Sequence, residues 1–256
     1  MEKIIQSLGE FIDYIEECKN KNYPNISEES KWEKIVYRGH ANKDWECLPK
    51  LFRAEESYNN ESNIAADILR RCPNDFEGLN RFGKLEKMQH YGAPTRLLDF
   101  TSNPLIALYF ACDDDTQKKK DGAVLLCKMP MFYEDDIPIE IFLENVFPKN
   151  KSLLMQVNSE KVECIVQTSN VIGIMPELNN ERIKNQEGCF ALFTYSGKKY
   201  VKIFNPLEEN NCIKEKVIVP QECKNKILSS LDGYGINKAF VYPELENQIK
   251  EICKKF

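Results

Sequence analysis

The run Gln89-His90-Tyr91-Gly92-Ala93-Pro94-Thr95-Arg96-Leu97-Leu98-Asp99-Phe100-Thr101-Ser102-Asn103-Pro104 crowds an imidazole, a phenol, a guanidinium, a carboxylate and hydroxyls between two apolar stretches. Groups of this kind, gathered where two buried elements meet, can hold an anionic or electron-rich ligand. Asn103 is placed to accept amide hydrogens of a first helical turn, and Pro104 suits the first helical position. Leu105 to Ala111 is apolar on every side, which predicts a core helix whose N-terminus points outward with a dipole favouring negative charge. A second guanidinium, Arg38, stands at the end of the β-like run Ile35 to His40, which Gly39 ends.

Each of these residues also has a purely structural use. Arg38 can form a strand-end salt bridge with Asp99 or another acid, and Arg96 can pair with Asp99 three residues on. His90 can satisfy the last carbonyls of a helix, Tyr91 can pack beside the Gly-Ala-Pro turn, and Thr101 and Ser102 can serve as caps. The loop with His40, Asn42, Asp44 and Trp45 either covers a ligand or is anchored to the core by Trp45.

The elements around these groups follow from apolar spacing. Ile4 to Cys18 reads as an amphipathic helix, followed by a polar link from Asn20 to Lys31. Leu51 to Arg71 reads as helical with a polar interruption at Ser57 to Asn63, and Phe76 to Met88 as a helix running into the polar junction. Gly122 to Cys127, Cys164 to Val166, Gly188 to Tyr195, Val201 to Phe204, Lys216 to Val219 and Ala239 to Val241 read as strands. Gln221 to Leu231 and Leu245 to Cys253 read as helices. Ile137 to Val146 fits either helix or strand, and Lys151 to Glu160 a loop or short helix. Helices early and strands late predict a single α+β domain over residues 1–256, with a mixed or antiparallel sheet and residues 1–31 as an N-terminal helix and link.

With 256 residues and 42% hydrophobic content the chain can bury a core. A net charge of -5 speaks against general nucleic-acid binding. Ten scattered cysteines without a CxxC pair, and only two histidines, support neither a zinc cluster nor a disulfide framework. Asp113-Asp114-Asp115 is contiguous rather than spaced around one hard cation, so no metal and no nuclease chemistry is expected. The N-terminus lacks a signal pattern and no stretch matches a membrane span, so a cytoplasmic location with free thiols and no membrane partner is expected.

Tyr37-Arg38-Gly39, with Gln89 through Ala111, resembles the FRG domain family of mainly bacterial proteins, and Arg182 to Phe190 and Gly235 to Leu245 are similar to it as well. The family name carries no established reaction. A second resemblance, to the ADP-ribosyltransferase core, rests on Arg38 as the early strand-end arginine and on Phe100-Thr101-Ser102-Asn103-Pro104 as the strand-to-helix element. It implies NAD as substrate, for ADP-ribosyl transfer to an acceptor such as a protein target or for NAD hydrolysis. A nucleotide site would then be lined by Arg38, Gly39, His90, Tyr91, Arg96, Asp99, Thr101 and Ser102. The glutamate such transferases carry on a later strand is replaced by Gln186-Glu187-Gly188, so Gln186 or Glu187 would stand beside the ribose, only one of the two if both lie in a strand. Without a carboxylate there, the alternative is a non-catalytic sensing or protein-interaction module that keeps the pocket.

Overall fold

A polar ladder group must find a partner, and here the partners form a sheet that closes on itself. The computed structural model describes residues 2–21, 23, 33–136, 139, 142–143, 146–147, 170–194, 207 and 211–253. Its strands are β1 (Lys3–Ile4), β2 (Glu33–His40), β3 (Leu97–Thr101), β4 (Gly122–Tyr133), β5 (Val171–Met175), β6 (Gly188–Phe193) and β7 (Ile213–Val219). They are ordered β1-β7-β4-β2-β3-β6-β5, and β5 returns to β4. The long strand β4 makes this closure. It pairs antiparallel with β2 along Ala123 to Pro130 on one side. On its other side it pairs with β7 from Gly122 to Cys127, then with β5, parallel, from Met131 to Tyr133.

Alternation along β4 explains the layers. Leu125, Cys127, Met129 and Met131 share a core with Val36, Leu98, Phe100, Ala191 and Phe193 from the other closing strands. The intervening Val124 and Leu126 pack against α1 (Leu8–Lys19), α5 (Pro104–Cys112) and α7 (Lys224–Gly233). A third cluster joins Leu97, Phe190, Leu192, Ile172 and Ile174 to Phe82, Leu85 and Met88 of α4 (Arg81–His90). Further helices among the described residues are α2 (Glu55–Asn59), α3 (Glu61–Arg71), α6 (Glu181–Gln186), α8 (Lys238–Val241) and α9 (Leu245–Cys253). The fold is α+β, as the sequence predicts.

The α5 cap is as expected: the Asn103 side chain accepts from the Leu105 amide at 2.9 Å, and six of the helix's nine residues are buried. Gly39 does not end β2. It sits inside the strand because α5 lies directly on it, and an added Cβ would stand 2.0 Å from the Ala107 carbonyl oxygen and 2.8 Å from the Ala111 nitrogen. Arg38 is therefore an interior residue of β2, opposite Leu125.

Two further expectations change. Ala239 to Val241 is not a strand but part of α8, because the Asn237 side chain accepts from the Phe240 amide and starts a helical turn. Gln186-Glu187 is not in a strand either. Asn180 caps α6 through the Ile183 amide, Gln186 ends that helix, and Glu187 takes a left-handed backbone (φ 44°) before β6 starts at Gly188. The polar break expected at Ser57 to Asn63 shrinks to Asn60, between α2 and α3. The strands expected at Cys164 to Val166 and Val201 to Phe204, and the segment Lys151 to Glu160, lie outside the described residues.

Candidate functional site

The strands β2 and β3 pair at Tyr37 with Thr101. Next to that pair, the Arg38 guanidinium donates through Nη1 to the Asp99 carbonyl and through Nε to His40 Nε2 at 3.0 Å. Arg38 thus ties β3 to β2 through a main-chain oxygen, not through a salt bridge to the Asp99 carboxylate. His40 is 3% exposed. Burial, then the adjacent Arg38 charge, lowers its pKa to about 3, so its ring is neutral and accepts the guanidinium proton.

Beside this pair opens a cleft of about 960 Å³. Its floor is Tyr37, Arg38 and Gly39 of β2 with Asp99, Phe100 and Thr101 of β3. One wall is the α4 face carrying Glu86, Gln89 and His90, continued by Tyr91. The other is formed by Phe110 and Asp113 near the end of α5, by Arg182 and Gln186 of α6, and by Tyr242 and Glu244. Trp45 also lines it, 45% exposed, with its ring edge-on to His40 at 6.1 Å. Three stretches distant in sequence therefore meet in one concavity of a size that suits a small ligand.

Within it, Asp99 is held in place. Gln89 Nε2 donates to Asp99 Oδ1 at 2.7 Å, and the Thr95 hydroxyl donates to Gln89 Oε1 at 2.7 Å. Glu86 stands one helical turn before His90. Burial, then the charges of Glu134 and Asp99, raises the Glu86 carboxyl to about 7. A carboxyl of that affinity can carry a proton at neutral pH, a property seen at sites of proton transfer and of ion pairing. Across the cleft, Arg182 lies over the Tyr242 ring at 5.1 Å and bonds Glu244 at 3.3 Å, and the Tyr242 ring meets Phe110 edge-on at 6.2 Å.

Not all the residues singled out from the sequence come here. Arg38, Gly39, His90, Tyr91, Asp99, Thr101 and Gln186 line the cleft; Arg96, Ser102 and Glu187 are not among its lining residues. Arg96 is 3% exposed and pairs with Glu61, not with Asp99: Nε donates to Glu61 Oε1 at 2.7 Å, Nη2 to Oε2, and Nη1 to the Phe193 carbonyl at 2.8 Å. The hydroxyls at the end of β3 are occupied as well. Thr101 Oγ1 donates to the Gln186 carbonyl at 2.6 Å, and Gln186 Nε2 donates to the Val241 carbonyl at 2.9 Å. Glu187 accepts from Ser102 Oγ at 2.9 Å and from Asn103 Nδ2 at 3.0 Å, while its carbonyl accepts from the Ser102 amide. The anion expected at the α5 N-terminus is thus the chain's own Glu187, at the place where the helix dipole favours it.

Sequence reasoning missed Glu86, Phe110, Arg182 and Tyr242. Glu86 had a signal, since it is four residues from His90 and shares its helix face. The others lie in stretches that carry the resemblance to the FRG family, but only the packing of α5 and of the chain around α6 and α8 brings them to the cleft. Buried thiols offer no nucleophile: burial pushes Cys112, Cys189 and Cys212 up to about 12. The nine described cysteines are all free. Among the described residues no group of three or more His, Cys, Asp or Glu is placed to hold a metal ion, and no helix is long and apolar enough to cross a membrane.

Residues 33–120 match the FRG domain family. The matched span contains β2, α4, β3 and α5 and so supplies the floor and one wall of the cleft; Arg182 to Phe190 and Gly235 to Leu245 lie beyond it. No curated protein and no solved structure matches the chain. The likeness to ADP-ribosyltransferases has no counterpart among these findings.

Proposed function

We propose that the cleft binds a nucleotide-type small molecule, with NAD as the candidate ligand, and that the domain acts as a binding module rather than as an ADP-ribosyltransferase. The observation that carries this reading is the convergence of Tyr37-Arg38-Gly39, Gln89-His90-Tyr91, Asp99-Phe100-Thr101 and the Arg182 and Tyr242 wall on one cleft. Aromatic rings there offer stacking faces, and the Asp99 carboxylate, fixed by Gln89, offers acceptors for ribose hydroxyls. Cleavage of a nicotinamide-ribose bond builds positive charge on the sugar and calls for a carboxylate beside it. Glu187 is committed to Ser102 and Asn103, and Gln186 to Val241, which favours the non-catalytic reading.

Thermal-shift titration with NAD, ADP-ribose and ATP, run beside an assay for free nicotinamide, tests this. A saturable rise in Tm with NAD and no nicotinamide release is the expected result. Arg38→Ala should abolish the rise. Glu187→Gln should keep it while lowering the ligand-free stability by about 1–2 kcal/mol through a weakened clamp. Nicotinamide release by the wild-type protein that Glu187→Gln abolishes would overturn the binding-module reading.

A further inference from the structure

We infer that the cleft selects a ligand carrying a positively charged aromatic ring, seated against the Glu86 and Asp99 carboxyls; the inference rests on the nucleotide reading and narrows it to the oxidised, pyridinium form of a nicotinamide nucleotide. The first support is charge balance. Carboxyl groups of Glu86, Asp99, Asp113, Asp114, Glu181 and Glu244 line the cleft, against the cations Arg38, Lys87 and Arg182. Each cation has partners within the chain, as do Asp113, Asp114 and Glu244 among the acids. Arg182 is held by Glu244 and the Tyr242 ring, Arg38 by the Asp99 carbonyl and His40, and Lys87 by the Asp75 carbonyl and the Phe76 ring. A cation beside Glu86 and Asp99 would therefore meet net negative charge, while the phosphates of the same nucleotide fall to Arg38 and Arg182, the cations of the floor and of the opposite wall.

The second support is geometric. Gln89 fixes Asp99 through Oδ1, and among the described residues no hydrogen bond reaches Asp99 Oδ2 or either oxygen of Glu86. Tyr91, on the turn directly after α4 and 77% exposed, presents a ring at the same rim, where a flat cation gains from its face. Glu134, from the turn after β4, and Asp99 of β3 act on Glu86 from outside its helix, Arg38 lies in the floor, and Lys87 and His90 flank it on α4. Burial first, and then the negative neighbours, raise the proton affinity of Glu86; the neighbours' share would also favour another cation there. Binding should therefore expel the Glu86 proton and strengthen as pH rises through about 7.

The test is titration calorimetry of the whole protein with NAD, reduced NAD and 1-methylnicotinamide at pH 6 and pH 8, repeated on Glu86→Gln with its fold checked by circular dichroism. At pH 8 NAD should bind about fivefold or more tighter than its reduced form, whose ring is neutral. That preference should shrink at pH 6 and in Glu86→Gln. Equal affinity for both forms at pH 8 would overturn the cation subsite while leaving the nucleotide reading standing. Binding of 1-methylnicotinamide without either nucleotide would support the subsite and overturn the nucleotide reading. No binding of any of the three would overturn both.

Discussion

Replacing Gly39 by alanine places one methyl group where α5 meets β2, and the structure fixes the penalty. The new Cβ would stand 2.0 Å from the Ala107 carbonyl oxygen, 2.8 Å from the Ala111 nitrogen and 2.8 Å from the Phe110 Cβ. The first two are the ends of one helical hydrogen bond, so no flexible side chain can yield. Carbon and carbonyl oxygen approach to about 3.3 Å, so the helix would have to retreat by roughly 1.3 Å. That retreat would loosen Tyr37, Val124 and Leu126 against Ala107 and Ala111. Overpacking of a rigid contact costs about 1–3 kcal/mol, and this case belongs at the upper end. At about 2–4 °C per kcal/mol for a chain of this size, Tm should fall by about 6–12 °C. Gly9→Ala, on the exposed face of α1 with nothing within 4 Å of the added Cβ, is the control and should raise stability by about 0.5–1 kcal/mol. Differential scanning calorimetry of the two variants decides the matter. A Gly39→Ala protein melting within about 2 °C of wild type would refute the close-packing argument.

Removing one partner of the buried Arg96–Glu61 pair, by Arg96→Ala or Glu61→Ala, should cost about 3–5 kcal/mol in urea unfolding, and the two losses should fall well short of additive in the double variant. Stability should also report two groups that titrate in opposite senses. His40, held neutral with its pKa lowered to about 3, contributes stability present above the unfolded value near 6.5 and lost as pH falls toward 3. Glu86, raised to about 7, makes folding more favourable at low pH, and that contribution is lost as pH rises from about 4.5 through 7. The Tm gain of Glu86→Gln over wild type should therefore be larger at pH 8 than at pH 5, and a pH-independent difference would contradict the burial and charge assigned to Glu86.

What was legible in the sequence is what local chemistry dictates. Asn103-Pro104 announces α5 because a cap and a first-turn proline act within their own turn, and the all-round apolar run after it can only be core. Gly39 reads as a breaker and so puts Arg38 at a strand end in the sequence; only the approach of α5, more than sixty positions away, makes a glycine necessary inside β2. Sequence proximity pairs Arg96 with Asp99, whereas its partner Glu61 comes from the start of α3, thirty-five residues earlier. At Gln186-Glu187 the local helix signal is Asn180 as a cap with the acidic Glu181 in the first turn behind it, which outweighs the strand pattern that starts at Gly188. Closure of the sheet was beyond reach, because no pattern in β4 says that its last residues change partner from β7 to β5.

That exchange of partners bears on how the chain is made. β2 ends at His40 and β4 starts at Gly122, so the strand carrying Arg38 leaves the ribosome well before the strand that supplies most of its ladder. The segment matching the FRG family, residues 33–120, stops just short of β4. Expressed by itself it would contain the residues of the cleft floor but would leave β2 with an open edge, joined to β3 at Tyr37 and Thr101 and free to seek a strand from another molecule. Synthesis thus passes through an interval in which the segment is complete as a sequence pattern and unfinished as a physical object, protected from aggregation only by what holds it until β4 arrives.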